Sequence, residues 1–315
     1  MYSRMLIPLD GSKLAEQVLP YARSLAKALT IPIELLKVVD ADALALLTDP
    51  EQGRYIDTLL ADSRQSSKAY LEGIARSFQG SHVQCLVENG KAEEAIIEKA
   101  ASDKDTLILM ATHGRSGIQR WLLGSVADKV LHESTNHMFL IRATDQGQTE
   151  GEATLNKVIV PLDGSPLAEK VLPYIVGLAK KMRLEIVFLR AYALPPAVSA
   201  DEYGAYSQEL FDQLEAEAKD YLAEKTKELQ QKGVENVSAV VDIGYGAEEI
   251  TRLARKTPDN FIAMCTHDRS GVTRWVLGSV TERVVPFRRS RAYHSRGCLR
   301  RFLVAPEWNE TPSGG

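Results

Sequence analysis

The chain has 315 residues, of which 44% are hydrophobic and 25% are charged, and its formal net charge is -4. This length suffices for two domains of ordinary size, and the composition is that of a soluble globular protein. The small negative charge gives no electrostatic reason to expect a nucleic acid or an anionic membrane as a partner. The three cysteines are too few for a disulfide framework or a zinc site, which favours a cytoplasmic location.

The apolar run at the amino terminus is interrupted by Pro8 and Asp10, so we expect no signal peptide. No run of about 18 apolar residues occurs, so we expect no membrane-spanning segment. We therefore expect a soluble protein of two domains.

In the first part of the chain, apolar runs and helical spacing predict strands that alternate with helices. The predicted strands are Met5–Leu9, Ile33–Val39, Val83–Val87, Thr106–Met110 and Met138–Ile141. The predicted helices cover about residues 12–29, 53–78, 92–101 and 126–131. Pro20 should bend the first helix. Alternating strands and helices, with nearly continuous apolar strands, predict a parallel sheet covered on both faces.

An internal repeat decides the predicted architecture. The segment Leu6–Ser12 returns, with two conservative changes, as Ile159–Ser165, and the segments around Pro20 and Pro173 also match. We therefore predict a tandem duplication, with a first domain at residues 1–143, a polar linker at 144–156 and a second domain at 157–315. Pro8 and Pro161 donate no ladder hydrogen bond, so each first strand is expected to end at its proline.

A glycine-containing loop at residues 111–125 follows the strand Thr106–Met110 and precedes a helix. A helix start offers unpaired N–H groups and the positive end of a dipole, which suit a phosphate. Gly114 and Gly124 would let the backbone approach a ligand closely. Ser125 and Asp128 are expected to form a capping box at the helix start. The alternative is that Ser125 only caps its helix and the glycines only turn the chain.

The spacing of Ala111, Gly114, Gly124 and Ser125 resembles the phosphate-binding motif of the ATP-binding universal stress proteins. That motif is a glycine, two residues, a second glycine, nine residues, and then Gly-Ser or Gly-Thr. Three of the four positions match here, and Ala111 departs by one methyl group. The sequence Pro-Leu-Asp-Gly-Ser in both copies resembles the first-strand signature of the same family. The resemblance extends through both copies to about Val285.

This resemblance implies an α/β fold of two tandem Rossmann-like domains, each an open parallel five-stranded sheet in the order 3-2-1-4-5 flanked by helices. It also implies an adenine nucleotide, ATP with or without Mg²⁺, at the edge where the chain order reverses between strands 1 and 4. The residues that it implies for the first copy are Leu9, Asp10, Val38, Met110, Ala111, Gly114, Gly124, Ser125 and Val126. For the second copy they are Asp163, Gly278 and Ser279.

Two chemical roles are open for Asp10. Its carboxylate suits ribose hydroxyls or a metal that bridges the phosphates. It could instead accept a hydrogen bond from the local backbone in an Asp-Gly turn. Its recurrence as Asp163 in the same setting favours the ligand role.

The second copy departs from the motif at two positions, where Cys265 and Asp268 replace Ala111 and Gly114. The Asp268 carboxylate would repel a nucleotide phosphate. Two like unit charges about 5 Å apart cost roughly 3 kcal/mol at an effective dielectric near 20, which is about a hundredfold in affinity. We therefore expect a weak or empty nucleotide site in the second domain.

The carboxyl-terminal segment of the second copy also departs from the repeat. The register of Met138–Ile141 falls on residues 292–295, which make a poor strand. Residues 301–305 could supply a displaced fifth strand, or the tail could be unstructured. Six arginines crowd this segment, and we favour a solvated loop over a nucleic-acid site: Arg288, Arg289, Arg291, Arg296, Arg300 and Arg301.

We expect a binding module for the stress response, because no nucleophile–base pair or metal cluster recurs to catalyse a reaction. One alternative is a slow ATPase or self-phosphorylating enzyme that uses Asp10 and the Ser125 hydroxyl. Another is a protein-interaction module without nucleotide. The apolar strand Met138–Ile141 is expected at a sheet edge, where pairing between the two domains or a homodimer would cover it.

Overall fold

A computed structural model of the chain describes residues 1–41, 56–113, 124–144, 146–193, 204–266 and 300–305, together with Val280 and Val284. These residues fall into two compact units, which divide between Thr154 and Leu155. Within the described ranges, no helix combines the length and apolarity needed to cross a bilayer.

The first unit is a parallel sheet flanked by helices. Its strands are β1 (Arg4–Pro8), β2 (Ile33–Val39), β3 (Val83–Asn89), β4 (Thr106–His113) and β5 (His137–Ala143). Its helices are α1 (Lys13–Glu16), α2 (Leu19–Leu29), α3 (Ile56–Ala75), α4 (Ala92–Ala101) and α5 (Ser125–Glu133). The strand order β3-β2-β1-β4-β5 confirms the predicted order, and neighbouring strands pair in parallel.

The length of β1 is set by Pro8, which ends the strand. Met5, Leu6 and Ile7 are fully buried, as expected for the central strand of a sheet covered on both faces. The strand ends at Pro8, as predicted, because proline has no N–H to donate. In the second unit the corresponding strand ends at Pro161 in the same way.

The predicted single helix over residues 12–29 is instead two helices, α1 and α2. Ser12 caps α1, since its Oγ accepts a hydrogen bond from the Ala15 N–H at 3.1 Å. Pro20 lies in the first turn of α2, where a helix does not need its missing N–H. The prediction that Pro20 bends one helix was therefore wrong, because the proline begins a second helix.

The second unit repeats this plan. Its strands are β6 (Lys157–Pro161), β7 (Glu185–Tyr192), β8 (Val237–Ile243), β9 (Asn260–Thr266) and β10 (Arg300–Ala305). A 3-10 turn (Ala168–Val171) precedes the helices α6 (Leu172–Met182), α7 (Gly204–Gln231) and α8 (Gly246–Lys256). The parallel order is β8-β7-β6-β9. Next to β9 lies β10, so of the two alternatives left open for residues 301–305 the structure has the displaced strand. Residues 292–295 and the tail from Thr311 lie outside the described residues.

Candidate functional site

The carboxyl edge of the first sheet has a recess at the end of β1. The last pair that β1 makes with β2 joins Pro8 to Leu36, whereas β2 continues to Val39. On the other side, β4 continues to His113 and pairs with β5 along this extension. The chain order reverses between β1 and β4, so this recess lies at the switch point where open α/β sheets bind their ligands.

The turn after β1 is fixed by local hydrogen bonds. Asp10 is exposed, and its Oδ1 accepts a hydrogen bond from the Ser12 N–H at 2.7 Å. Gly11 has a φ of 90°, which disfavours any residue with a Cβ. The local role of Asp10 is therefore present in the structure. The hydrogen bond from the Ser12 N–H uses only Asp10 Oδ1. It does not decide whether a ligand also binds the Asp10 carboxylate.

The second unit has the same turn. Asp163 Oδ1 accepts a hydrogen bond from the Ser165 N–H at 2.8 Å, and Gly164 has a φ of 87°. Since the turn alone explains why an aspartate recurs here, the recurrence no longer favours a ligand role over a structural one.

A polar cluster that the sequence analysis missed lies beside the Asp10 turn. The Lys37 ammonium lies 4.8 Å from the centre of the Tyr70 ring, and a Cβ at Gly11 would be 3.1 Å from Lys37 Nζ. The Tyr70 hydroxyl donates to Glu16 Oε1 at 3.0 Å, and Lys13 binds the other Glu16 oxygen at 2.8 Å. Burial, followed by the charge of Glu16, raises the pKa of Tyr70.

The second unit contains the equivalent cluster. The Arg190 guanidinium lies 4.8 Å from the centre of the Tyr221 ring, and the Tyr221 hydroxyl donates to Glu169 at 2.9 Å. Lys225 forms an ion pair with Glu169 at 3.1 Å. The sequence signal that could have found this cluster is a cation at the same place on β2 and β7, at Lys37 and Arg190. Its tyrosine partners lie too far away in sequence to be inferred from spacing.

Other implied site residues lie along the same edge of the first unit. Leu9, Met110 and Ala111 have buried side chains, so a ligand would meet them through their backbone. Val38 is half-buried near the end of β2. Parallel strands end at one edge, so the fold brings these residues to the same side of the sheet as Asp10.

The start of α5 differs from the predicted capping box. Gly124 is the N-cap, with extended backbone (φ -61°, ψ 150°), and no side-chain hydrogen bond caps the helix. The Gly124 carbonyl accepts the Asp128 N–H at 2.8 Å, which places Ser125 inside the first turn. The capping-box prediction was therefore wrong by one residue. Ser125 is exposed and Val126 is half-buried, and the first-turn N–H groups fit a phosphate oxygen.

Several predicted site residues lie outside the described residues. They are Gly114 of the first loop, together with Gly278 and Ser279 of the second. The described residues contain no group of three or more histidine, cysteine, aspartate or glutamate side chains that could hold a metal ion.

Comparison with known proteins extends over both units. The sequence matches the Universal stress protein family twice, at residues 1–142 and 154–286. A universal stress protein of Mycolicibacterium smegmatis is 20% identical over 288 residues, which cover 89% of this chain and 92% of that protein. One from Methanocaldococcus jannaschii is 29% identical over 131 residues, or 42% of this chain and 76% of that protein. A universal stress protein structure from Archaeoglobus fulgidus has a TM-score of 0.64 at 20% identity, covering 97% of this chain and 99% of the other.

Proposed function

Because the chain belongs to the universal stress protein family, we propose that it is an ATP-binding module of the stress response. The nucleotide site is in the first unit. The observation that carries this proposal is the start of α5, where an exposed Ser125 and first-turn N–H groups without a side-chain cap follow β4. This helix start supplies anion-binding groups in the part of the chain that follows β4, the strand next to the recess at the end of β1.

In this proposal the phosphates lie against the backbone around Gly114 and Gly124–Val126, where N–H groups and the helix dipole compensate their charge. Asp10 binds a ribose hydroxyl through the carboxylate oxygen that is not used by the Ser12 N–H. The adenine lies against the backbone of Val38. Mg²⁺, where bound with the nucleotide, would compensate part of the phosphate charge.

The main test replaces Gly114 with aspartate, the residue of the second copy. Isothermal titration of the full chain with ATP and Mg²⁺ should show one site in the wild type and about a hundredfold weaker binding in Gly114→Asp. Gly117→Asp is the matched control, because it adds the same charge to the same loop at a glycine outside the motif. Equal affinity in the wild type and in Gly114→Asp would contradict the phosphate assignment, and no ATP binding by the wild type would contradict the function.

A slow ATPase or self-phosphorylating activity is the second candidate. It is favoured by the exposure of Ser125 in the first turn, where its side chain does not cap the helix. For a binding module we expect turnover far below about 1 s⁻¹, the lower end of ordinary enzymes. Phosphate release at that rate or faster, lost in Asp10→Ala, would favour the enzyme. A chain that binds no nucleotide would leave the interaction module as the remaining candidate.

The location and assembly belong to the same proposal. A cytoplasmic location rests on the low cysteine content and on the family. Edge pairing of β5 and β10, within one chain or between two, stays a prediction. Light scattering of the full chain and of a chain that ends at Val285 tests it, because only the full chain carries β10.

A further inference from the structure

We propose that residues 146–154, called the strap here, form a releasable element of the first unit that is clamped along α2. The sequence predicted only a polar linker at this place. The clamp is made by Gln17, Arg23 and Ser24. This proposal does not depend on nucleotide binding.

Arg23 makes the strongest contacts of the clamp. Its Nη1 donates to the carbonyl of Thr149 at 3.0 Å and to the carbonyl of Gly151 at 2.8 Å. Its Nε donates to Ser77 Oγ at 3.1 Å, which holds the guanidinium in place. Hydrogen bonds from a charged donor are stronger than those between neutral groups. One side chain therefore binds two points of the strap, two residues apart.

The two ends of this region are tied by neutral hydrogen bonds. Ser24 Oγ donates to the Ala153 carbonyl at 2.5 Å, and the Ala153 N–H donates to the Pro20 carbonyl at 3.0 Å. Just before the strap, Gln17 Nε2 donates to the Thr144 carbonyl at 2.6 Å, and Gln17 Oε1 accepts the Thr144 N–H at 2.9 Å. Gln17 is only 2% exposed, so its amide needs these partners.

The second copy shows that the clamp is specific to the first unit. Residues 14–27 and 167–180 differ at four of 14 positions: Gln17, Ala22, Arg23 and Ser24 are replaced by Lys170, Ile175, Val176 and Gly177. Three of these four differences are the clamp. Valine and glycine side chains have no donor, and lysine has no acceptor, so the second copy could not hold a strap through the same bonds.

The clamp is separate from the core. Val18, Leu25 and Leu29 of this region are buried in the unit, whereas the strap is bound by polar groups and has exposed residues at Glu150, Gly151 and Glu152. An element held by a few polar contacts can open locally at a lower free energy than the whole unit. Opening would free the chain back to the end of β5. The connection to the second unit would then lengthen by about ten residues, at most about 3.5 Å each.

Hydrogen exchange and proteolysis of the full chain test this proposal. In Arg23→Val, the residue of the second copy, the Ala153 amide should exchange about tenfold faster or more. A protease that cleaves after glutamate should cut after Glu150 and Glu152 correspondingly faster. Amides of the first sheet should keep their wild-type protection. Ser24→Gly should act in the same direction with a smaller effect, and it serves if Arg23→Val does not fold.

One control separates the clamp from a general loss of charge. Arg76→Val removes an exposed arginine of the same unit and should leave the Ala153 amide within about twofold of the wild type. Ser77→Ala removes the bond that holds the Arg23 guanidinium in place but leaves its two carbonyl partners, so its effect on the Ala153 amide should be smaller than that of Arg23→Val. Unchanged exchange at Ala153 in Arg23→Val and in Ser24→Gly would overturn the clamp. Simultaneous loss of protection throughout the first sheet would overturn the separate opening of the strap.

Discussion

The two copies keep the same turn after the first strand but present different groups around it. The Asp-Gly turn is closed at 2.7 Å in one and at 2.8 Å in the other, and the tyrosine–glutamate bond beneath it measures 3.0 and 2.9 Å. The loop position of Gly114 is Asp268 in the second copy, and the clamp on α2 has no counterpart. The duplication thus preserved what each sheet needs to fold. It diverged in the loop of the proposed nucleotide site and at the residues that contact the strap.

The largest loss of stability is expected at core positions where the two copies have the same residue. Leu25 and Leu178 occupy the same place in α2 and α6 and are 0% and 1% exposed. Truncation of either to alanine removes buried methyl groups and leaves a cavity, which costs about 2–5 kcal/mol. Urea denaturation with hydrogen exchange resolved by unit would measure both. A cost in one unit more than twice that in the other would show that the two cores are not equivalent.

A smaller effect is expected at the turn glycines. Alanine at Gly11 or Gly164 must adopt a φ near 90°, which costs about 1–3 kcal/mol. Gly11 should be the more sensitive, because its added Cβ would lie 3.1 Å from Lys37 Nζ, against 3.5 Å from Arg190 at Gly164. Gly73 in α3 is the control, since its Cβ would meet nothing within 4 Å and alanine should stabilise the helix by about 0.5–1 kcal/mol. Destabilisation at Gly73 as large as at Gly11 would contradict the assignment of strain to the turn.

The sheet was predictable from sequence because its signals are local. Apolar runs located the strands of the first unit to within about three residues at each end, and Pro8 and Pro161 gave two of the strand ends. The order of strands came from the family resemblance and was confirmed. For residues 301–305 the sequence left a strand and an unstructured tail as alternatives, and the structure has a strand there.

The errors have tertiary or single-residue causes. The break between α1 and α2 occurs beside Gln17, whose amide partner Thr144 lies 127 residues away. The α5 cap moved by one residue because glycine adopts the extended N-cap conformation as readily as serine. The cluster of Lys37 and Tyr70 joins a strand to the following helix, and composition gives no sign of it. The contacts of the strap with Arg23 and Ser24 also join parts of the chain that are far apart in sequence. The sequence therefore predicted only a polar linker at these residues.

The tyrosines beneath the turns should make stability depend on pH in the alkaline range. Burial raises the pKa of Tyr70 and of Tyr221, and Glu16 and Glu169 raise it further. The folded chain therefore keeps these protons to higher pH than the unfolded chain, whose tyrosines have a pKa near 10. Their contribution is fully present below about pH 10 and is lost as the pH rises toward the folded pKa.

Tyr70→Phe and Tyr221→Phe test this dependence in each unit. The slope is at most about 1.4 kcal/mol per pH unit for each tyrosine, and it is reduced here because both rings are partly exposed. Each variant should remove its share of the slope in urea denaturation between pH 9 and 11, values chosen around the ordinary pKa of about 10. Tyr245→Phe, at a tyrosine that is 53% exposed, is the control for the loss of one tyrosine hydroxyl. A slope that survives in both variants would contradict the assignment.

The smallest effect is expected at one lysine that recurs with different partners. Lys27 forms an exposed ion pair with Glu152 of the strap at 3.3 Å, whereas Lys180 donates to the backbone carbonyl of Lys232. An exposed ion pair contributes about 0–1 kcal/mol and is screened at high salt. Lys27→Ala should therefore cost less than about 1 kcal/mol at low salt, with no cost near 1 M salt. Lys180→Ala should cost about 1 kcal/mol with little salt dependence, because a carbonyl carries no net charge.

Since Arg23 and not Lys27 is proposed to hold the strap, Lys27→Ala should leave the Ala153 amide protected. Opening as large as that in Arg23→Val would show that charge, rather than the geometry of the clamp, keeps the strap closed.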